Sequence, residues 1–488
     1  MKISIRNLGA VREAEIDLKP LTVFVGPNST GKTWTAYVLS GIFGPYGFRN
    51  YLNESNIDHI LDEYPVLNEI FQQVNSRKSA NINLIEFTDQ YGEAHLNKVI
   101  AYAKEWMPRF LGTNRCVFDE LIVSIHLAEA KGKLLETLRR EVFTRSLSST
   151  RSLKEKDQEL MYFYSESDNT EENIAEVKTS QDLPSSVVKR FLLESVFQPM
   201  HRSLFPDTYV FPTERPGFVT FPLDRTFVSK DPVQRAVSSS GELLDQSSDV
   251  TKDPVVIVPV AIPIYTFYRM ISKVYTLSAR TSLLRGSAAT KEYTRLAQLL
   301  EKEILSGGVQ FSAPEPQLGR ELLFRTTNDI NLEIPVASSM VKEITPLVLY
   351  LRYLARLGDL LVIDEPEMNL HPAAQVRMIE FLALLVNAGL NVLITTHSSY
   401  MVDHLANLMK AAATNNPKKY ENLFFLERTE AFIPQDQVSV YLFQDGTATS
   451  ILSAEGEINW RTFSNVSDKI SDIFFALPLP EEDEVADA

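Results

Sequence analysis

The sequence predicts an α/β protein in which a mostly parallel sheet is interrupted by a large, mostly helical insertion. Three observations predict it. The apolar, β-branched run Leu21-Thr22-Val23-Phe24-Val25 leads into a glycine-rich loop and then a helical pattern. From Pro335 onward, helical patterns alternate with strongly apolar runs at 360–363 and 391–394. The stretch 46–205 that separates these parts is polar for its length and carries mainly helical periodicity.

Taken in order, residues 2–6 and 14–18 alternate polar and apolar about a turn near Gly9, as paired strands do. Residues 34–43 form a helix, because Trp34, Tyr37, Val38 and Ile42 recur at spacings of three and four. Gly41 shares that face and would let a neighbour pack closely. Within the insertion, 146–153 and 166–181 are rich in Ser, Asn, Thr and charge and read as loops, as does 238–253 further on. Helical periodicity returns at 265–284 and 291–305, where Gly307-Gly308 supplies a stop. Residues 309–333 alternate like two or three strands. Helices are expected at 340–357, 372–387 and 400–412, and late strands at 423–427 and 438–443. The acidic tail 481–488 reads as frayed. The expected parts are 1–45, the first half of the α/β part; 46–205, an insertion serving as a partner or oligomer surface; 206–412, the second half of the α/β part; and 413–488, the closing strands and tail.

Of 488 residues, 44% are apolar and 23% charged, which supports a real core and excludes wholesale disorder. A net charge of −15 opposes broad, unspecific coating of nucleic acid but leaves a local basic groove open. The single cysteine, Cys116, excludes a disulfide framework and a Cys-rich metal site, and is expected to be a buried small apolar residue. Met1-Lys2-Ile3-Ser4-Ile5-Arg6 lacks the apolar core of a signal peptide. The most apolar run, 255–268, contains Pro259 and Pro263 and is shorter than the ~18–20 residues of a membrane span. A cytoplasmic protein without a membrane partner is expected.

Chemistry concentrates in three segments. Gly26-Pro27-Asn28-Ser29-Thr30-Gly31-Lys32-Thr33 matches G-x-x-x-x-G-K-[ST] in full, between a strand and a helix. Its backbone N–H groups, with that of Trp34 at the helix start, can wrap phosphate oxygens. Gly26 and Gly31 permit backbone geometry that side chains would obstruct. Lys32 would reach the β- and γ-phosphates of ATP, and the Thr33 hydroxyl would hold Mg²⁺. The second segment is Leu360-Leu361-Val362-Ile363-Asp364-Glu365, an apolar strand delivering two acids. Asp364 would bind the Mg²⁺, directly or through water, and Glu365 would orient or deprotonate the attacking water. An Asp-Glu pair can also merely cap a helix after a buried strand. The third segment, Asn391-Val392-Leu393-Ile394-Thr395-Thr396-His397, ends a strand in two threonines and a histidine. His397 would contact the γ-phosphate, although a lone histidine is more often a packed or surface residue.

The strand-Asp-Glu-Pro and strand-Thr-Thr-His elements resemble those of ABC-type ATPases, including the SMC and RecF proteins. Ile363-Asp364-Glu365-Pro366-Glu367-Met368-Asn369-Leu370-His371-Pro372 resembles the DEPExxLHP segment of the RecF-like and OLD-like AAA ATPases of prokaryotes. The opening Ile5-Arg6-Asn7-Leu8-Gly9-Ala10-Val11 resembles theirs too. The resemblance is close over 1–45 and 330–410, loose over 205–330 and nearly absent over 46–205. It implies an ABC-type head whose ATP lies between two heads, so that the chain would form a homodimer or higher homo-oligomer. The partner head would supply a signature loop, for which Ala337-Ser338-Ser339-Met340-Val341-Lys342 is the candidate. Ser338, Ser339 and Lys342 would then face the partner's nucleotide. Met340 stands where a glycine is usual, which argues for slow hydrolysis. The alternative for Ser338-Ser339 is an ordinary helix cap. Phe211-Pro212-Thr213-Glu214-Arg215 resembles a PAER-like segment near the magnesium, or else is a turn with a solvated Glu-Arg pair.

Many OLD-like proteins add a Toprim nuclease. No strand with Asp-x-Asp follows His397, Asp483 lies in the tail, and seven histidines form no HNH-like stretch. The resemblance therefore implies a stand-alone ATPase, like those of the PARIS and Septu anti-phage defence systems, working with a separately encoded nuclease or toxin as effector. The alternative is a RecF- or SMC-like repair ATPase acting directly on DNA. A transporter subunit fits least, because such subunits are compact.

Overall fold

A computed structural model describes residues 1–127, 130–140, 143–148, 159–165, 174–179, 184–220, 260–278, 288–313, 320–459 and 461–477. The chain opens with strands β1 (Lys2–Leu8), β2 (Val11–Asp17) and β3 (Leu21–Val25), and helix α1 (Lys32–Phe43) follows the glycine loop. Then come α2 (Pro45–Glu54), α3 (Ile57–Glu63), α4 (Pro65–Arg77), β4 (Ser79–Asn83), α5 (Leu84–Ala101), α6 (Ala103–Phe110) and β5 (Ile122–His126). They are followed by α7 (Ala130–Arg140), β6 (Phe143–Ser148), β7 (Glu159–Ser165), β8 (Ile174–Thr179) and α8 (Ser185–Arg202). The second half brings β9 (Thr208–Phe211), α9 (Arg215–Thr220), α10 (Ile262–Ser278), α11 (Ala288–Leu300), β10 (Gly307–Phe311), β11 (Leu322–Thr326) and β12 (Asn331–Glu333). It closes with α12 (Ser339–Tyr353), β13 (Leu360–Asp364), α13 (Pro372–Asn387), β14 (Asn391–Thr396), α14 (Ser399–Ala412), β15 (Val438–Gln444), β16 (Thr447–Ser450) and α15 (Arg461–Ala476).

Nine strands make one sheet in the order β5-β1-β2-β16-β15-β3-β14-β13-β9. Strands β15, β3, β14, β13 and β9 are mutually parallel, and β16, β2, β1 and β5 extend the sheet through mainly antiparallel pairs. Both faces are covered, as a parallel sheet requires. Val23, Val25, Leu361, Ile363, Val392, Ile394 and Val440 join one core with residues of α10 to α14. The alternate residues Phe24, Val362, Leu393 and Phe443 join a second core with α1, α5 and α6. The period of two along each strand thus gives the sheet two cores, one on each face.

The expected α/β architecture is therefore present. Gly41 does receive close neighbours, since a Cβ there would lie 2.8 Å from Phe110 and 2.9 Å from Trp106 of α6. Residues 46–205 are not helices alone. β4, β8, β7 and β6 form a separate four-stranded sheet, and β5 pairs with β1 as the edge of the main sheet. Phe110, Phe118, Val123 and Ile125 accordingly pack into the second core. The remainder builds a third core around Phe48, Tyr64, Phe71, Phe87, Phe191 and Phe197. The loop expected at 166–181 contains β8, which pairs on both sides, with β4 and β7. The loop expected at 146–153 begins inside β6; 149–153, 166–173 and 238–253 lie outside the described residues, as does the tail 481–488.

Other expectations shift for identifiable reasons. The segment 423–427 is not a strand. The carboxylate of fully buried Glu380 instead accepts the N–H groups of Phe425 (2.9 Å) and Leu426 (2.7 Å), which holds the backbone in a turn. The helix expected through 305 changes pitch after Leu300 into a π-helical turn, Glu301–Leu305. There Glu301 accepts from Val309 N at 2.6 Å and from Arg352 at 2.7 Å, and Ser306, at φ 50°, ends the turn. The expected glycine stop, Gly307-Gly308, begins β10 instead. Strands β10 to β12 form a small antiparallel sheet. Cys116 is half-buried against the second core and not within it.

Candidate functional site

The parallel strands deliver their C-terminal ends to one edge of the sheet, where ligands of α/β folds bind. Strand β14 lies between β3 and β13, in register with both. The loop after β3, the threonines ending β14 and the acids ending β13 are therefore adjacent.

The glycine loop turns sharply. Gly26 has φ 139°, and a Cβ there would overlap the carbonyl oxygen of Phe443 on neighbouring β15. Only glycine fits. Gly31 caps α1 in the left-handed conformation. Pro27, Asn28 and Ser29 are exposed at the rim, and the Thr30 hydroxyl donates to Pro27 O at 2.9 Å. Lys32 is buried, and its ammonium donates to the carbonyls of Gly26 (2.9 Å) and Pro27 (2.7 Å). Burial pulls its pKa below the ordinary lysine value, while Glu365, Asp364 and Glu367 oppose the shift. Trp34 packs its indole against Gly9 and the ring of Phe118.

Asp364 is 2% exposed and accepts two hydroxyl hydrogen bonds on Oδ1, from Thr33 at 3.0 Å and from Thr395. Burial raises its pKa, and the two hydroxyl donors hold the shift back. Glu365 adopts φ 48°, a left-handed backbone uncommon outside glycine, which turns it out of the strand. Its N–H is held by Thr395 O at 3.1 Å. Its carboxylate, one-third exposed, lies 3.6 Å from Nε2 of His397. The pKa of His397 is lowered by burial and by Lys32. The backbone N–H of His397 donates to Glu367 at 2.6 Å, which fixes where strand β14 ends.

The structure thus brings together Lys32, Thr33, Asp364, Glu365 and His397. It does not bring Ser338 and Ser339 to them. Ser338 is the N-cap of α12, its hydroxyl accepting from Val341 N at 3.3 Å. Both serines are exposed, Met340 packs partly against the core, and no hydrogen bond among the described residues joins either serine to the loop.

Arg215 is placed differently from a solvated surface arginine. It is 3% exposed, and its guanidinium donates to the carbonyls of Asp364 (2.6 Å), Glu365 (2.8 Å) and Pro212 (2.9 Å). It also ion-pairs with fully buried Glu343 of α12. Asn369 Nδ2 donates to the same carboxylate at 3.1 Å. Sequence reasoning singled out Arg215 but overlooked Glu343 and Asn369. An acid at the fifth position of α12, just before the apolar stretch Leu347 to Leu351, was the available signal.

The donor set suits Mg²⁺ with a nucleoside triphosphate. A hydroxyl and a carboxylate oxygen stand 3.0 Å apart beside the glycine loop, whose carbonyls hold the ammonium of buried Lys32. No cluster of three or more His, Cys, Asp or Glu side chains arranged as a metal site occurs among the described residues. Nor is any described helix long and apolar enough to cross a membrane.

No curated protein matches the chain. Among solved structures, it is similar to an SMC head bound to the C-terminal winged-helix domain of ScpA, with 11% identity, a TM-score of 0.37, and coverage of 93% of this chain and 98% of that one. A second is an SMC head with an extended coiled coil bound to the C-terminal domain of ScpA from Pyrococcus furiosus, at 10% identity, TM-score 0.34, and 96% and 98% coverage. A third is the SMC head domain from Thermotoga maritima, at 9% identity, TM-score 0.30, and 92% and 97% coverage. These likenesses are slight. The family described as "AAA ATPase domain" matches residues 1–196 and 279–402, which include the glycine loop, the Asp364-Glu365 strand end and His397. With that match over most of the chain, and with those residues gathered at one sheet edge, the chain belongs to the AAA ATPase domain family.

Proposed function

We propose that the chain binds Mg·ATP at the β3–α1 loop and hydrolyses it slowly, in a site completed by a second copy of itself. The observation that carries this reading is the convergence on Asp364: Thr33 from the loop and Thr395 from β14 both donate to its Oδ1, with Glu365 next in the chain and His397 3.6 Å from that carboxylate. When bound, Mg²⁺ would be held by Thr33 and Asp364, and it would neutralise charge on the phosphates. Lys32 would turn its ammonium from the loop carbonyls to phosphate oxygens. Glu365 would hold the attacking water and take its proton, while His397 would mark the γ-phosphate position.

A second copy is invoked because Ser338 and Ser339 stand exposed at the start of α12 without a hydrogen bond to their own loop. The output we propose is to hold and release a separate effector, a nuclease or toxin in anti-phage defence. The insertion, with a hydrophobic core of its own, would be the holding surface. Purified chain should hydrolyse ATP with Mg²⁺ and should cut no DNA. Metal-dependent DNA cleavage that survives Lys32→Ala would reveal a separate catalytic centre and overturn the division of labour. A large fall in hydrolysis to a small residual rate, without change in ATP affinity, is expected for Glu365→Gln, and wild-type turnover in that variant would remove Glu365 from its role.

A further inference from the structure

The turn from Asp364 to Asn369 is held to helix α12 through a buried charged pair, a contact that ATP binding and hydrolysis as proposed above do not use. Glu365 and Asn369 both sit in left-handed backbone, at φ 48° and 58°. Such residues persist only where their surroundings fix them. The Glu365 N–H is fixed by Thr395 of β14, and its carbonyl by Nη2 of Arg215. Arg215 also takes the Asp364 carbonyl. The same Nη2 meets Oε1 of Glu343, and Asn369 reaches the other oxygen of that carboxylate. Glu343 therefore receives both ends of the turn. It lies little more than one helical turn inside α12, whose exposed start is Ser338.

We propose that Arg215 and Glu343 are a positioning pair that links the position of α12 to the orientation of the Glu365 carboxylate. Contact made at the exposed start of α12 would thereby reach the hydrolytic carboxylate of the same chain. Two properties make the pair suited to this. A buried ion pair has few alternative partners, so its members move together. A guanidinium alone among side chains can bond two carbonyls and a carboxylate from one rigid plane. This proposal rests on the reading of Glu365 as the water-holding residue.

The test uses the full chain and reads ATP affinity and turnover separately. Arg215→Lys keeps the charge but not the fork. Expected is a fall in kcat of roughly tenfold or more with the ATP Kd changed less than about threefold, the mark of an interaction that matters in the transition state only. Glu343→Gln, which keeps the shape and the Asn369 contact, should do the same, and it carries the test should Arg215→Lys fail to fold. The decisive arm is a double-mutant cycle. In a Glu365→Gln background, Arg215→Lys should lower the residual rate no further, because its effect acts through Glu365. Additive losses would show a merely structural role and overturn the proposal, as would wild-type kcat in both single variants. An unmutated chain that hydrolyses no ATP would instead overturn the reading of the site itself.

Discussion

Lys32 has its ammonium on two carbonyls of its own loop, and that arrangement has a measurable consequence. Lys32→Ala removes charge-assisted hydrogen bonds worth about 1.5–3 kcal/mol each once phosphate replaces the carbonyls. ATP affinity should fall on the order of a hundredfold, measured by titration with a fluorescent analogue; unchanged affinity would refute the phosphate role. Asp359 is fully buried and accepts from Tyr350 OH (2.9 Å) and Arg356 N (3.0 Å) on one oxygen, while the other has no partner. Burial raises its pKa from 3.8 to about 7. The folded chain then binds this proton more tightly than the unfolded chain does. The proton stabilises the fold at low pH, and that contribution is lost as pH rises from about 4 to about 7. Its size is at most on the order of 4 kcal/mol. Subtracting the unfolding curve of Asp359→Asn from that of wild type, pH by pH, should expose this slope. A flat difference would mean that Asp359 is ionised throughout.

At the scale of elements, α1 and α6 approach closely over Gly41, where side chains of Phe110 and Trp106 leave no room for a Cβ. Gly41→Val should destabilise the fold by about 1–3 kcal/mol through overpacking, seen as a lower urea midpoint. A midpoint equal to wild type would show that α6 can shift away. This contact was legible in the sequence because helical spacing alone places Gly41 on the apolar face of α1. The strands bearing Asp364 and Thr395-Thr396 were legible too, because a buried parallel strand is a continuous apolar run. β5 was not legible. Ile122 to His126 alternates as any half-buried strand does, and nothing local says that it pairs with β1 more than a hundred residues away. The turn at 423–427 was misread as a strand because its apolar residues match one, while the carboxylate that claims its N–H groups, Glu380, comes from a distant helix. Arg215 was visible as a residue, but its work was not, since all its partners except Pro212 and Phe211 lie far along the chain.

At the scale of the whole molecule, the parallel strands of one mixed sheet set the loop, the acids and the threonines side by side, and the insertion both extends that sheet through β5 and builds a core of its own. The start of α12 remains exposed, and this is why the account requires two copies. The central claim is tested most directly by the rate of ATP hydrolysis per chain, measured with Mg²⁺ across a range of protein concentrations. The account predicts a specific rate that rises with concentration to a plateau, is lost in Lys32→Ala and falls to a small residual value in Glu365→Gln. It also predicts that Glu365→Gln still binds ATP and accumulates as a dimer or larger assembly. The absence of hydrolysis at any concentration, or a rate unaffected by either substitution, would contradict it.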